Sequence, residues 1–240
     1  MLRELDVAYD VEGVEMIGSL IVEDRETGPR PSVLLFGGGT GFAPFHRQRA
    51  RALADLGYCV FGADYFGGGR VLEGAALDAA RAAMTPDHRK ALGLGAFNAL
   101  VARAEGDADR VAALGYCFGG GVAVQLAQAG AALKAVVGFH PGIGPTPTPE
   151  DNANISGAVL MCCGTADPLV PVEKVIAWLQ QMTDSGVDCT VELYSGVGHV
   201  FTDPEADSLG YPGIAYDKRS DERSWASMLR LLSTTIGAPA

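Results

Sequence analysis

"VAALGYCFGGGVAVQLAQAG", Val111 to Gly130, decides the fold. An apolar run leads through a cysteine and a glycine cluster into apolar residues at helical spacing. The chain is therefore expected to leave a buried strand, turn sharply and enter a helix opening at Gly119. Gly115 and Gly119 flank Cys117 two residues on either side. Small residues at those positions let strand and helix approach closely, so that the central side chain projects outward. Cys117 then reads as a nucleophile, against the alternative of a small buried apolar residue. The turn also leaves the Phe118 N–H near a helix start, where it can stabilise a thiolate and receive charge developing on a substrate oxygen.

Apolar runs and helical patterns alternate on both sides of this turn. "LDVAYD" and "EMIGSLIVED" read as N-terminal strands, followed by a turn through "TGPRP". "SVLLF" (Ser32 to Phe36) lacks polar alternation, as a strand buried on both faces should. It runs into "GGGTG", and a helix is expected around His46 to Leu56. "YCVFGADYFGGG" supplies another strand and a glycine-rich loop. From Val71 to Ala104 two or more helices are expected, broken near Pro86. "LKAVVGFH", "GAVLMCCG" and "VDCTVELYSG" are further strands, the first followed by a loop with prolines at 141, 145, 147 and 149. Helices are expected around Val172 to Thr183 and along "KRSDERSWASMLRLLSTTI". This order implies a mostly parallel sheet covered by helices on both faces, with chemistry at the carboxyl ends of the strands.

Composition narrows the function classes. A chain of 240 residues without a linker-like interior is expected to form one domain over 1–240. A net charge of −11 disfavours nucleic acid and anionic membrane as partners. "MLRELDVAYD" lacks the apolar core of a signal peptide, and no run is long and apolar enough to span a bilayer, so a cytoplasmic location is expected. The cysteines are Cys59, Cys117, Cys162, Cys163 and Cys189, an odd number with no CxxC spacing. Reduced thiols follow, and both a redox pair and a compact zinc site are disfavoured. "FGGGTG" superficially suggests nucleotide binding, but no P-loop lysine follows, and "FAPFH" is not expected to open a clean helix.

A nucleophile needs a base, and the base needs an orienting group. Of the four histidines, His199 in "YSGVGHVFTDP" follows a strand and is the best candidate base. His140, ending "VVGFH", could reach the same edge as a second candidate base but reads first as loop support or pocket lining, His88 as a surface or packing residue, and His46 as a pocket contact at most. Asp167 in "MCCGTADPLVP" lies between a strand and a helix. The order Cys117, Asp167, His199, each after a strand, is that of an α/β-hydrolase sheet.

From "SVLLFGGGTGF" through "GYCFGGG", "KAVVGFHPG" and "GTADPLVP" to "GVGHVFTDP" and "SWASMLRL", the chain resembles the dienelactone hydrolase family of the α/β-hydrolase fold. The resemblance implies a Cys117, Asp167, His199 triad that hydrolyses ester or lactone carbonyls without metal or organic cofactor. Two departures stand out. The family carries a His-Glu pair after the first core strand, its glutamate contacting the cysteine, where this chain has Gly37 and Gly38. Beyond the histidine the family places an arginine for the substrate carboxylate, whereas this chain offers Asp203. The second departure argues against dienelactone itself.

Gly38 or Gly39 is then expected to give the second oxyanion donor beside Phe118. Phe42, Tyr65, Arg70, His140 and Phe201 are the candidate substrate contacts, for a small ester, lactone or thioester. The expected molecule is a monomer or small homo-oligomer. A catalytically weak, ligand-binding or interaction homologue is the alternative, and a thiol redox or transferase enzyme is disfavoured because no resolving cysteine is evident.

Overall fold

The computed structural model describes residues 1–24, 28–144 and 148–237. Thr27 of the "TGPRP" turn and Pro145 and Pro147 of the proline-rich loop lie outside the described residues. The strands are β1 (Leu2–Val11), β2 (Val14–Glu23), β3 (Arg30–Phe36), β4 (Cys59–Gly62), β5 (Gly106–Tyr116), β6 (Ala135–Phe139), β7 (Ala158–Gly164) and β8 (Cys189–Tyr194). They form one sheet in the order β1-β2-β4-β3-β5-β6-β7-β8. The β1–β2 and β2–β4 pairs are antiparallel. Every pair from β4 to β8 is parallel.

The helices are α1 (Pro44–Asp55), α2 (Gly74–Ala83), α3 (Pro86–Val101), α4 (Phe118–Gln128), α5 (Pro149–Ala153), α6 (Val172–Asp184) and α7 (Lys218–Thr235). Apolar side chains of α1 and α7, among them Leu53 and Leu232, pack on one face of the sheet with Val33 and Leu35. Those of α2, α3, α4 and α6 pack on the other with Leu34 and Phe36. Adjacent residues of β3 thus enter different cores, which is why that strand is apolar throughout. Cys162 and Cys163 divide the same way. None of the five cysteines is in a disulfide.

Local chemistry sets the helix starts. Pro86 occupies the first turn of α3, and the Thr85 hydroxyl accepts the His88 N–H at 3.1 Å, so the break near Pro86 is a capped start. At α1 the structure corrects the sequence expectation: Phe42 to His46 does open a helix, two residues before His46, with Pro44 in its first turn. That start was hidden because Ala43, at the cap position, has no side chain that could bond the first turn. Helix α4 likewise begins one residue early, at Phe118.

The first parallel crossover carries the chain from β3 to β4 on one side, and the next returns it to β5 on the other. The carboxyl ends of β3 and β5 therefore meet where strand order reverses, in register at Phe36 and Gly115. Loops leaving such neighbouring strands in opposite directions open a crevice.

Candidate active site

Cys117 occupies this crevice with φ 51° and ψ −117°, a backbone conformation costly for any residue but glycine. Its N–H donates to Phe139 O at 3.0 Å, and its carbonyl accepts Gly142 N–H at 2.7 Å and Gly120 N–H at 3.0 Å. Close packing makes the turn possible. A Cβ on Gly115 would lie 2.1 Å from Gly119 O, and one on Gly119 would lie 2.3 Å from Gly37 O. The side chain at the apex remains partly exposed while the strand behind it is buried.

His199 enters from the loop after β8. Its Nε2 is 3.1 Å from Cys117 Sγ and its Nδ1 is 2.6 Å from Asp167 Oδ2. The other Asp167 oxygen accepts Leu169 N–H at 2.8 Å and Val170 N–H at 3.0 Å, so the carboxylate cannot swing away. Strain helps aim the histidine: Val200, directly after it, has φ 58°, rare for a β-branched residue. The His199 N–H donates to Gly213 O at 2.8 Å and holds that conformation.

Electrostatics link the three groups. Burial by itself disfavours the His199 imidazolium, but its bonds to Asp167 and Cys117 outweigh burial and lift the group to about 9. Burial alone would also raise the Cys117 thiol. The His199 bond and charge, the Phe118 N–H and Arg81 together pull it below the ordinary thiol value. The two shifts run in opposite directions, and both favour separation of charge between the sulfur and the imidazole.

A cavity of about 440 Å³ opens on the sulfur. It is lined by Gly39, Arg81, Met84, Arg89, Cys117, Phe118, Gly142, Ile143, Leu169, Val170 and His199. Of the sequence candidates, Phe118 and Gly39 reach it. Gly38 does not, and its N–H donates instead to His46 Nε2 at 3.0 Å. The five candidate substrate contacts also lie elsewhere. Tyr65 is buried and donates its hydroxyl to Gly37 O at 2.9 Å, with its ring edge-on to Phe118. Arg70 turns its guanidinium onto the carbonyls of Gly67 and Phe66 in its own loop. Phe42 packs between His46 and Gly62, and Phe201 is fully buried. His140 is buried behind His199, its ring 5.0 Å away and its Nε2 2.8 Å from Thr202 Oγ1. Asp203 accepts the Glu205 N–H within its own turn.

The sequence did not single out Arg81, at the end of α2, and Arg89, on α3. Among the described residues neither has a carboxylate within ion-pair distance. Arg89 lies 5.7 Å above the Phe118 ring with its Nε buried and unbonded. Their helical stretch is rich in alanine, and only unpaired basic residues on one side of it could have signalled a cavity wall. No group of three His, Cys, Asp or Glu among the described residues could hold a metal ion. No described helix is long and apolar enough to cross a membrane.

The family model described as the dienelactone hydrolase family matches residues 17–236. A solved structure from metagenomic libraries, described as a dienelactone hydrolase-like promiscuous phosphotriesterase, is 36% identical with a TM-score of 0.94, over 98% of this chain and 99% of that one. A second solved chain, m3DLH, is 37% identical with a TM-score of 0.93 over the same shares. A Yersinia pestis protein provisionally named a carboxymethylenebutenolidase is 24% identical over 229 residues, covering 91% of this chain and 83% of that protein.

Proposed function

This chain belongs to the dienelactone hydrolase family and has its α/β-hydrolase fold, and from that premise we propose that it is a cysteine-dependent hydrolase of carboxylic esters or lactones. One observation carries the mechanism: a single imidazole bridges Cys117 Sγ at 3.1 Å and Asp167 Oδ2 at 2.6 Å beneath an open cavity.

The Cys117 thiolate attacks the ester carbonyl, and the carbonyl electrons move to oxygen. The N–H groups of Phe118 and Gly39 receive that charge. His199 gives its proton to the departing alkoxide, leaving a thioester on Cys117. The now neutral His199 takes a proton from water, whose oxygen attacks the thioester, and collapse returns the carboxylic acid and the thiolate–imidazolium pair. Asp167 keeps the His199 Nδ1 proton in place throughout.

Arg81 and Arg89 address the substrate. They are cations facing the cavity of a chain whose net charge is −11, and a carboxylate or similar anion on the substrate would pair with them. They supply from α2 and α3 the positive charge absent beyond His199, so the argument against dienelactone from Asp203 loses its force. A small ester or lactone bearing an anionic group is the preferred substrate class.

The test is release of nitrophenol from a short-chain nitrophenyl ester by the protein and by Cys117→Ala, with intact-mass detection of an acyl adduct. Turnover and adduct should both disappear in the variant. Equal activity in the two proteins would remove Cys117 from the mechanism. A second reading draws on the phosphotriesterase relative: the same sulfur attacks the phosphorus of a neutral nitrophenyl phosphotriester and expels nitrophenolate. Nitrophenolate release from that compound, lost in Cys117→Ala, would support it, and release by both proteins would exclude it.

A further inference from the structure

We propose that His46 is a positioning residue that braces the oxyanion-binding loop, an inference resting on the cysteine-hydrolase reading above. The imidazole lies in the first turn of α1 and is only 7% exposed. Its Nε2 is 3.0 Å from Gly38 N and its Nδ1 3.2 Å from Ala43 N. A neutral imidazole has one acceptor nitrogen, so it can take only one of these N–H groups. The Ala43 N–H has a second acceptor in Gly41 O at 3.0 Å, whereas the Gly38 N–H has none besides His46 among the described residues, so we assign the acceptor to Nε2 and Gly38. Burial pushes His46 down to about 4, keeping that lone pair free of a proton at neutral pH.

The loop needs such a brace because Gly37, Gly38 and Gly39 are consecutive and carry no side chains to hold them. Tyr65 donates to Gly37 O at 2.9 Å, Gly41 N–H to Gly38 O at 3.1 Å, and Leu72 N–H to Thr40 O at 3.0 Å. Together with His46, these bonds tie the chain on both sides of Gly39. The Gly39 N–H itself has no acceptor among the described residues. A Cβ on Gly38 would lie 3.5 Å from His46 Cε1, so the ring fills the space beside the glycine. Phe45 and Tyr116 hold the ring in turn, with centroids at 5.3 Å and 5.4 Å. An oxyanion donor works only when it is fixed before charge develops, and His46 fixes this one through its neighbour.

Two variants separate bracing from bulk packing. His46→Leu keeps the volume without an acceptor, and His46→Gln returns an acceptor near the place of Nε2. Three quantities are read for each: kcat on a nitrophenyl ester, affinity for a short aliphatic aldehyde, and the rate of Cys117 alkylation by iodoacetamide. The thiolate adds to the aldehyde to form a carbon–sulfur bond, and its oxygen, sitting at the same donors, takes the His199 proton. Alkylation displaces iodide and forms no oxyanion. His46→Leu should lose about 10–100-fold in kcat and in aldehyde affinity while alkylation changes by less than about twofold. His46→Gln should recover most of both losses. Unchanged kcat and aldehyde affinity in His46→Leu would overturn the proposal. So would an equal fall in all three quantities, because the ring would then be supporting the whole turn. A wild-type protein that forms no acyl adduct on Cys117 would overturn the hydrolase reading, and the brace with it. An adduct in wild type beside an unaffected His46→Leu would overturn the brace alone.

Discussion

Replacing Asp167 by Asn should change the geometry around His199 little and the proton arrangement of the proposed triad greatly. The amide oxygen can keep the Leu169 and Val170 N–H bonds at 2.8 Å and 3.0 Å. The amide nitrogen then stands where Oδ2 stood, 2.6 Å from His199 Nδ1, and presents a donor to what had been a donor. His199 answers by moving its proton to Nε2, which faces Cys117 Sγ at 3.1 Å and can no longer accept a proton there. The carboxylate also helps lift His199 from 6.5 to about 9. Asp167 shares that rise with Cys117, so removing the carboxylate gives back only part of it, at about tenfold in the protonation equilibrium per pKa unit. Tautomer inversion in serine enzymes of this design costs about 10⁴-fold in kcat. The expected fall in kcat/KM for Asp167→Asn is therefore about 10–10⁴-fold. The assay is nitrophenyl ester hydrolysis at neutral pH, with circular dichroism to check folding and iodoacetamide mass labelling to count reactive Cys117. A folded variant within about threefold of wild type would refute the assignment of Asp167 as the group that orients His199.

Arg89→Leu should raise KM about 10–100-fold for an ester carrying a free carboxylate and leave a neutral ester almost unchanged, as expected for a lost charged hydrogen bond; Arg81→Leu should raise the same KM and, because Arg81 also helps hold the Cys117 thiol down, slow both esters slightly; equal KM effects on both esters would remove the arginines from substrate recognition. The lowered Cys117 thiol predicts iodoacetamide labelling that persists below the pH at which an ordinary cysteine stops reacting, and His199→Gln should abolish that persistence. On the alkaline side kcat/KM should fall as pH climbs through about 9, because His199 then lacks the proton that the leaving alkoxide needs; a profile still rising beyond that point would contradict the acid role. Gly119→Ala would put a methyl 2.3 Å from Gly37 O and 2.5 Å from Phe36 O. Backbone atoms yield poorly, so a loss of about 1–3 kcal/mol and a fall in melting temperature of roughly 2–12 °C are expected in thermal denaturation. An unchanged melting temperature would mean that the turn is looser than its contacts imply.

The sequence by itself determined the alternation of strands and helices and the sharp turn at Cys117, because both follow from local rules. Apolar runs such as "SVLLF" mark strands buried on two faces, and the glycines around Cys117 mark a strand and helix in close approach. It also placed Asp167 and His199 after strands, hence at the edge of a parallel sheet where the structure brings them together. What lines the cavity was decided by tertiary packing. Phe42, Tyr65 and Phe201 adjoin the right loops in sequence, yet they turn inward because the sheet offers them apolar neighbours, while Arg70 satisfies its own glycine loop. Arg81 and Arg89 line the cavity from helices that the crossover between β4 and β5 brings over the site. His46 shows the same division. Its place in the chain suggested no more than a pocket contact, and its bond to Gly38 exists because α1 folds back against the loop that precedes it. Local patterns encode the path of the backbone, whereas a side chain's partner depends on which distant segment fills the space beside it.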